Sequence, residues 1–420
     1  MNKKIFSFLF STRLMAVLFL TFALTMGIGT FIESYYNTDT ARIWIYNAWW
    51  FEMIMVFFMI NFAGNVKRYQ LYKKEKWATL LLHVSFVFIL LGAFITRYIS
   101  YEGMMPIREG ASSNQVFSDK NYLTFFVDGQ HNGELKRRVF EKPLILSPAV
   151  FPPFASNYFS ISDNFDAVPF KISFKNFIMD AKDTIKQSNN GTIYLKMVES
   201  GGGTRHEHYL QEGTIKDIHN VLFALNKPTK GAINITSTAT GTTIDAPFEG
   251  QFMRMADKFR GVVTKDVAQP LMFRSLYNLG GAQFVFPDQP IKGNKDVVSG
   301  KKFKSKTSSD ALVLTIESEG KSKDVTLIGS KGTIGEPQVV KIGQLEYTLY
   351  FGSKVYTLPF SITLNDFIAK KYPGTEKSYS SYESKVTVTE KGNKLDADIY
   401  MNHILDHGGF GFFQSSFDPD

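Results

Sequence analysis

The chain has 420 residues, enough for two or three domains, and 44% of them are hydrophobic. Its net charge is +8, and much of the basic charge at the N-terminal end flanks apolar runs, a pattern that sets membrane topology rather than nucleic-acid binding. It has no cysteine, which excludes disulfides, thiolate metal sites, thiol redox chemistry and c-type haem attachment to this chain.

Three apolar runs come first. Leu14–Ile32 is uncharged, Ile43–Ala63 is broken by Asn47, Glu52 and Asn61, and Ala78–Ile95 is uncharged. A hydrocarbon core of about 30 Å takes about 20 helical residues. Only a helix keeps its own amides paired in lipid, so each run is predicted to span as one. Lys3, Lys4 and Arg13 precede the first run, yet no small-x-small site follows it. It reads as an uncleaved anchor.

Lysine and arginine set the orientation. The loop 66–77 carries Lys67, Arg68, Lys73, Lys74 and Lys76 against Glu75, whereas the loop between the first two helices carries Arg42 with Glu33 and Asp39. The N-terminus and loop 66–77 are therefore expected on the cytoplasmic side, and everything after Arg97 outside. Trp44, Trp49 and Trp50 mark the outer interface, and Trp77 the inner one. The expected division is a membrane region, 1–97, and an extracytoplasmic domain, 98–420.

From Tyr98 onward short apolar runs alternate with turn signals. Examples are Leu123–Val127 before Asp128-Gly129, Thr192–Val198 before Gly201-Gly202-Gly203, and Ala311–Ile316. This spacing predicts a large, mainly antiparallel β domain. Asp217–Leu225 and Ala268–Leu279 are expected to be helical. Pro169-Phe170-Lys171-Ile172-Ser173-Phe174-Lys175-Asn176-Phe177-Ile178 matches Pro359-Phe360-Ser361-Ile362-Thr363-Leu364-Asn365-Asp366-Phe367-Ile368. The match predicts an internal duplication of one β unit. After the strand-like Gly411–Phe417 only Asp418-Pro419-Asp420 follow, which reads as a fragment of a longer chain.

His83 is the residue that points to chemistry. It lies in Leu80-Leu81-Leu82-His83-Val84-Ser85-Phe86, roughly 9 Å along the third helix from Trp77. An ionisable side chain at that depth is costly and faces a bundle interior or a pathway. Two readings stand level: a neutral imidazole bonded to a neighbouring helix, or a ligand to haem iron or another metal. A second axial ligand would come from a partner or from a methionine such as Met59. Lys76, seven residues earlier, is expected on the same face about 10 Å away, where a haem propionate would suit it; an interfacial lysine that snorkels is the plainer reading. Glu52 is expected to be structural. His206 and His208 flank Glu207 on one strand face, with no third metal ligand in view. His403 and His407 read as solvated or core residues, His131 and His219 carry no pattern, and Gly201–Gly203 reads as a turn.

Several stretches together resemble the ResB family, also called CcsB, of System II cytochrome c assembly. They are Gly29-Thr30-Phe31-Ile32, Tyr46-Asn47-Ala48-Trp49-Trp50-Phe51, His83 through Leu91-Gly92-Ala93, and Tyr101-Glu102-Gly103-Met104-Met105-Pro106-Ile107-Arg108-Glu109-Gly110. Then come Leu358-Pro359-Phe360-Ser361, Tyr372-Pro373-Gly374-Thr375, Ser380-Ser381-Tyr382-Glu383-Ser384 and Gly411-Phe412-Phe413-Gln414-Ser415-Ser416. Their order along the chain carries the resemblance. It implies a multi-pass protein of the bacterial cytoplasmic (inner) membrane, with its large domain in the periplasm or outside. The implied cargo is haem b, carried with a CcsA-like partner to apocytochrome c, with a thioredoxin-like reductant nearby. It also implies a non-catalytic or co-catalytic part in a cytochrome c haem lyase complex. His83 matches the family's transmembrane haem ligand, and the partner supplies the second histidine. The partner's tryptophan-rich WWD signature is absent, since Trp49-Trp50 is followed by Phe51-Glu52. The family's fourth helix after the outer domain is missing, and some relatives continue into a fused CcsA, which fits a fragment. At the position of His407 the family is expected to carry an aromatic. A membrane-anchored β scaffold or sensor that binds protein and no cofactor is the alternative, and a transporter half a weaker one.

Overall fold

The computed structural model describes residues 3–131, 133–150, 156–201, 204–300, 309–375, 378–415 and 417. The turn expected at Gly202-Gly203, Ser416 of the terminal motif, and residues 418–420 lie outside these. Among the described residues three helices are long and apolar enough to cross a membrane: α1 (Thr12–Tyr35), α2 (Trp49–Arg68) and α3 (Trp77–Tyr98).

A short helix, Lys3–Leu9, precedes α1, and Ser11 caps the new start by accepting from the Leu14 amide at 3.1 Å. The carbonyls exposed at that break are satisfied from α2. Asn61 Nδ2 donates to Leu9 O at 2.6 Å and to Ser11 O at 3.2 Å, and Asn65 Nδ2 donates to Asn61 Oδ1. The polar interruption in the second apolar run thus serves a helix end. That helix starts at Trp49 rather than Ile43, because Arg42–Tyr46 winds into a separate π turn. Leu18, Ile45, Phe51, Ile54, Phe58 and Phe62 form the core between the helices, and no residue of α3 is buried.

The chain forms two compact units. One comprises Met1–Ala181 and Gly300–Asp420, the other Lys182–Ser299. In the first, the strands used below are β1 (Ser112–His131), β2 (Ser160–Phe165), β3 (Val168–Ile178), β4 (Asp310–Ser318), β5 (Lys321–Gly329), β6 (Leu345–Lys371), β7 (Tyr379–Glu390) and β8 (Asn393–Tyr400). One sheet contains β1-β6-β7-β8 in that order, and a second runs β5-β4-β3-β2. Leu123, Phe125, Tyr347 and Phe351 of the first sheet meet Phe170, Ile172 and Leu314 of the second in one core. The second unit has its own core, with Leu195, Met197, Phe223, Tyr277 and Phe284 at its centre.

The duplication expected from the sequence is visible in the register. In the first copy β3 pairs with β4 from Phe170↔Ser318 to Phe174↔Leu314, then jumps to Asn176↔Val313 and leaves Lys175 as a bulge. In the second, β6 pairs with β7 from Ser361↔Thr389 to Leu364↔Val386, then jumps to Asp366↔Lys385 and leaves Asn365. Lys175 and Asn365 are the same place in the two matched segments. The hairpins β4–β5 and β7–β8 that follow turn through two left-handed residues each, Glu319-Gly320 and Lys391-Gly392. Across each hairpin a threonine donates to an aspartate: Thr315 to Asp324 at 2.7 Å, and Thr387 to Asp396 at 2.6 Å. Phe170 and Ile172, like Phe360 and Ile362, are buried.

One difference separates the copies. In the second, β6 reaches β7 through loop 372–378. In the first, the whole unit Lys182–Ser299 lies between β3 and β4. The two chain passages at its neck are bonded to each other's neighbours: Gly300 N donates to Asp180 O, and Ala181 N to Ser309 O, both at 2.8 Å.

Two expectations are corrected. Asp217–Leu225 is no helix but the hairpin Ile215–Ile218/Val221–Leu225, reversed by His219 and Asn220 at φ 52° and 62°. Its alternation buries Val221, Phe223 and Leu225. Ala268–Leu279 contains the strands Gln269–Pro270 and Ser275–Leu279; Pro270 and the left-handed Arg274 break helical continuity.

Candidate functional site

His83 sits in the second turn of α3. Its Nδ1 lies 2.9 Å from the carbonyl of Thr79, one turn back. A carbonyl only accepts, so Nδ1 carries the proton in this bond. Nε2 is then the lone-pair nitrogen, directed away from the helix backbone. The ring is also held from the side. Phe62 of α2 meets it edge-on, with centroids 5.6 Å apart and planes at 89°. Phe62 in turn stacks on Phe86 at 4.9 Å and on Phe58 at 6.0 Å, and Phe19 of α1 meets Phe58, Phe62 and Phe86 edge-on. An aromatic wall from three helices backs one side of a half-exposed imidazole. Such an imidazole can accept a proton or ligate a metal; a carbonyl bond on the far nitrogen is the usual support of a metal-bound histidine.

The other candidates are placed differently. Lys76 precedes α3, with φ at −118°, and its Nζ donates to Tyr69 O at 2.8 Å, closing the turn after α2. Met59 lies on α2, three residues before Phe62. Glu52 accepts from Arg97 and from the Tyr98 hydroxyl, tying the first turn of α2 to the last turn of α3. Arg97 also donates to Tyr46 O at 2.8 Å.

In the second unit the histidines gather on Glu199, which stands directly opposite His206 in the strand pair. His208 Nε2 lies 3.5 Å and His219 Nε2 3.1 Å from the same carboxylate oxygen. Burial pushes the Glu199 carboxyl up, but the bonds from His219 and His208 outweigh it and hold it below the usual range. Burial, with Lys216 nearby, holds His208 below its own. Among the described residues no three His, Cys, Asp or Glu side chains are arranged to hold a metal ion. His131 pairs with Asp166 at 2.6 Å, His403 stacks on Tyr400, and His407 packs on Phe360 and lies 3.0 Å from Glu390.

Residues 327–420 match the ResB-like family. The resemblance read from the motifs is borne out there. This ResB-like segment takes in β6, β7 and β8, hence the second copy of the repeat, and the motifs Leu358–Ser361, Tyr372–Thr375, Ser380–Ser384 and Gly411–Gln414. The chain is also 23% identical over 409 residues to Protein NrfI of Wolinella succinogenes. The alignment covers 97% of this chain and 30% of NrfI, so the chain spans under a third of that relative's length.

Proposed function

We propose that this chain is a haem-handling subunit of a cytochrome c assembly complex. Haem b is its cargo, moved across the cytoplasmic membrane with a CcsA-like partner and presented outside to apocytochrome c, with a thioredoxin-like reductant keeping the acceptor thiols ready. The ResB-like match and the three membrane-length helices support this reading. The observation that carries it is the geometry of His83: Nδ1 tied to the Thr79 carbonyl, Nε2 presented with its lone pair. Iron would supply the ligand chemistry. The chain's own residues orient the ring and back it with Phe62 and Phe86. With one histidine in the bilayer, the other axial position falls to the partner. Lys76 is a secondary candidate for a propionate, reached by giving up its bond to Tyr69 O.

The test is His83→Gly in the complex with the partner. The variant should insert normally, since glycine costs a helix about 1 kcal/mol. It should lose haem and cytochrome c maturation, and added imidazole should restore part of both by filling the vacated volume. An unchanged Soret spectrum in that variant would refute the ligand assignment. Loss of haem without imidazole rescue would make His83 structural. A colourless wild-type complex would favour the cofactor-free scaffold.

A further inference from the structure

The second unit carries a cluster that the haem-handling reading does not use. Its strands Ala181–Gly201 and Thr204–Gln211 pair in one sheet, and the hairpin Ile215–Ile218/Val221–Leu225 belongs to another. The two sheets share one core, with Leu195, Met197 and Leu210 from the first and Ile218, Val221 and Phe223 from the second. Glu199 stands at the end of that core face. It lies two residues beyond Met197, opposite His206 in one strand pair and opposite Phe284 in the other. Its side chain is 5% exposed. One of its oxygens meets His219 Nε2 at 3.1 Å, from the hairpin turn, and His208 Nε2 at 3.5 Å, from its own sheet. The His219 contact is a polar tie between the two sheets.

The charged and titratable groups that face Glu199 are basic. His206 and His208 of strand Thr204–Gln211 share its sheet face by register. Lys216 stands opposite the buried Phe223, hence on the inner face of the hairpin with Ile218, and His219 follows at the turn. Asp217 stands opposite the exposed Leu222 and belongs to the other face of the hairpin. The Lys196–Glu207 pair, at 2.8 Å, lies on the other face of the first sheet. Strand Ala282–Val285 brings Phe284 to Glu199 and no charge. With the histidines neutral, Lys216 balances Glu199. Each proton added after that meets no second carboxylate on this face, and like charges held close in a partly buried rim repel.

We propose that the Glu199 cluster is a proton-operated clasp between the two sheets of the second unit, closed while its histidines are neutral and opened along the hairpin Ile215–Leu225 when acid protonates them. Linkage agrees with the charge count. Burial, then Lys216, hold His208 below its ordinary value, against the bond and attraction of Glu199. With the hairpin lifted, His208 returns to about 6.5. The open state then binds the extra proton. The closed state's advantage is complete above pH about 6.5 and declines as pH falls below it. Glu199, held below its own ordinary range, withdraws its contribution only lower, as pH falls below about 4.3. From pH 7 to pH 5 the opening equilibrium should rise several-fold, with about 25-fold as the ceiling for one proton.

The test is hydrogen exchange of the hairpin amides 215–225 in the full chain, held in nanodiscs of zwitterionic phosphatidylcholine and corrected for intrinsic rates. Protection in the wild type should fall several-fold from pH 7 to pH 5, while Leu123–Val127 of β1 in the first unit keeps its value. His208→Gln, which retains a side-chain donor and cannot titrate, should show no such fall. A wild type with level protection, or a His208→Gln variant with the full fall, would overturn the clasp. A second variant keeps the test independent of how His208→Gln folds. Lys216→Met keeps an apolar stem on the inner face and removes the cation that opposes proton uptake at His208. Its fall should be smaller than that of the wild type. A fall as large as the wild type's would locate the titration outside the cluster and reject the proposal.

Discussion

The two copies of the repeated hairpin agree where contacts are local and differ where the chain leaves them. Bulge, two-residue turn and threonine–aspartate bond recur, because each is set by residues a few positions apart or directly across a strand pair. The loop opposite the turn is under no such control. In one copy it is 372–378; in the other it has admitted Lys182–Ser299. Loop length costs little, about 0.6 kcal/mol per doubling, and less when the insert holds its own ends together. The copies also differ in what covers them. Phe170 packs on Phe125, Phe140 and Tyr347 across the sandwich, whereas Phe360 packs on His407, Phe410 and Phe412 of a terminal hairpin, Leu405–His407 paired with Phe410–Phe412.

The strongest challenge to that comparison is Phe170→Ala against Phe360→Ala. Each should lose about 3–5 kcal/mol in denaturant unfolding, with Phe170 at the upper end because its cover is a continuous core. An equal loss would mean that the terminal hairpin closes its face as tightly as the sandwich does. A smaller and better matched pair is Gly320→Ala and Gly392→Ala. Both glycines have left-handed φ, at 71° and 87°, and open space where a Cβ would go. Backbone strain alone should cost each about 1 kcal/mol. A twofold disparity would show that the turns are not equivalent. The largest change in sequence should have the smallest effect per residue removed. Replacing Lys182–Ser299 by a copy of loop 372–378 should shift the stability of the remaining β unit by no more than about 2 kcal/mol. Loss of amide protection in β7 and β8 would show instead that the insert is part of that unit's core.

Much of this was legible in the sequence, for reasons that differ by region. The membrane helices followed from long apolar runs with almost no charge, and His83 stood out because nothing else ionisable lies so deep in its own run. Its bond to Thr79 follows from helix periodicity once the helix is granted. The duplication showed only as one matched segment. Its continuation was hidden because the partner strand of the first copy lies beyond the inserted unit, so the two halves repeat at different offsets. The helix expected at Asp217–Leu225 failed on two left-handed residues, His219 and Asn220, that no apolar periodicity reveals. The gathering on Glu199 needed the strand pairing itself, since His219 arrives from a separate hairpin.

The insertion also fixes an order of events during folding. Strands β6, β7 and β8 can zip as neighbours, each joined to the next by a short connection. Strands β3 and β4 cannot, because the chain between them must first be gathered in. A folded insert does that gathering, turning a long and therefore slow closure into a short one. The second unit then acts, before any functional role, as the clip that makes the first hairpin local. Mutations that slow its collapse should delay β3–β4 pairing and leave β6–β8 on schedule.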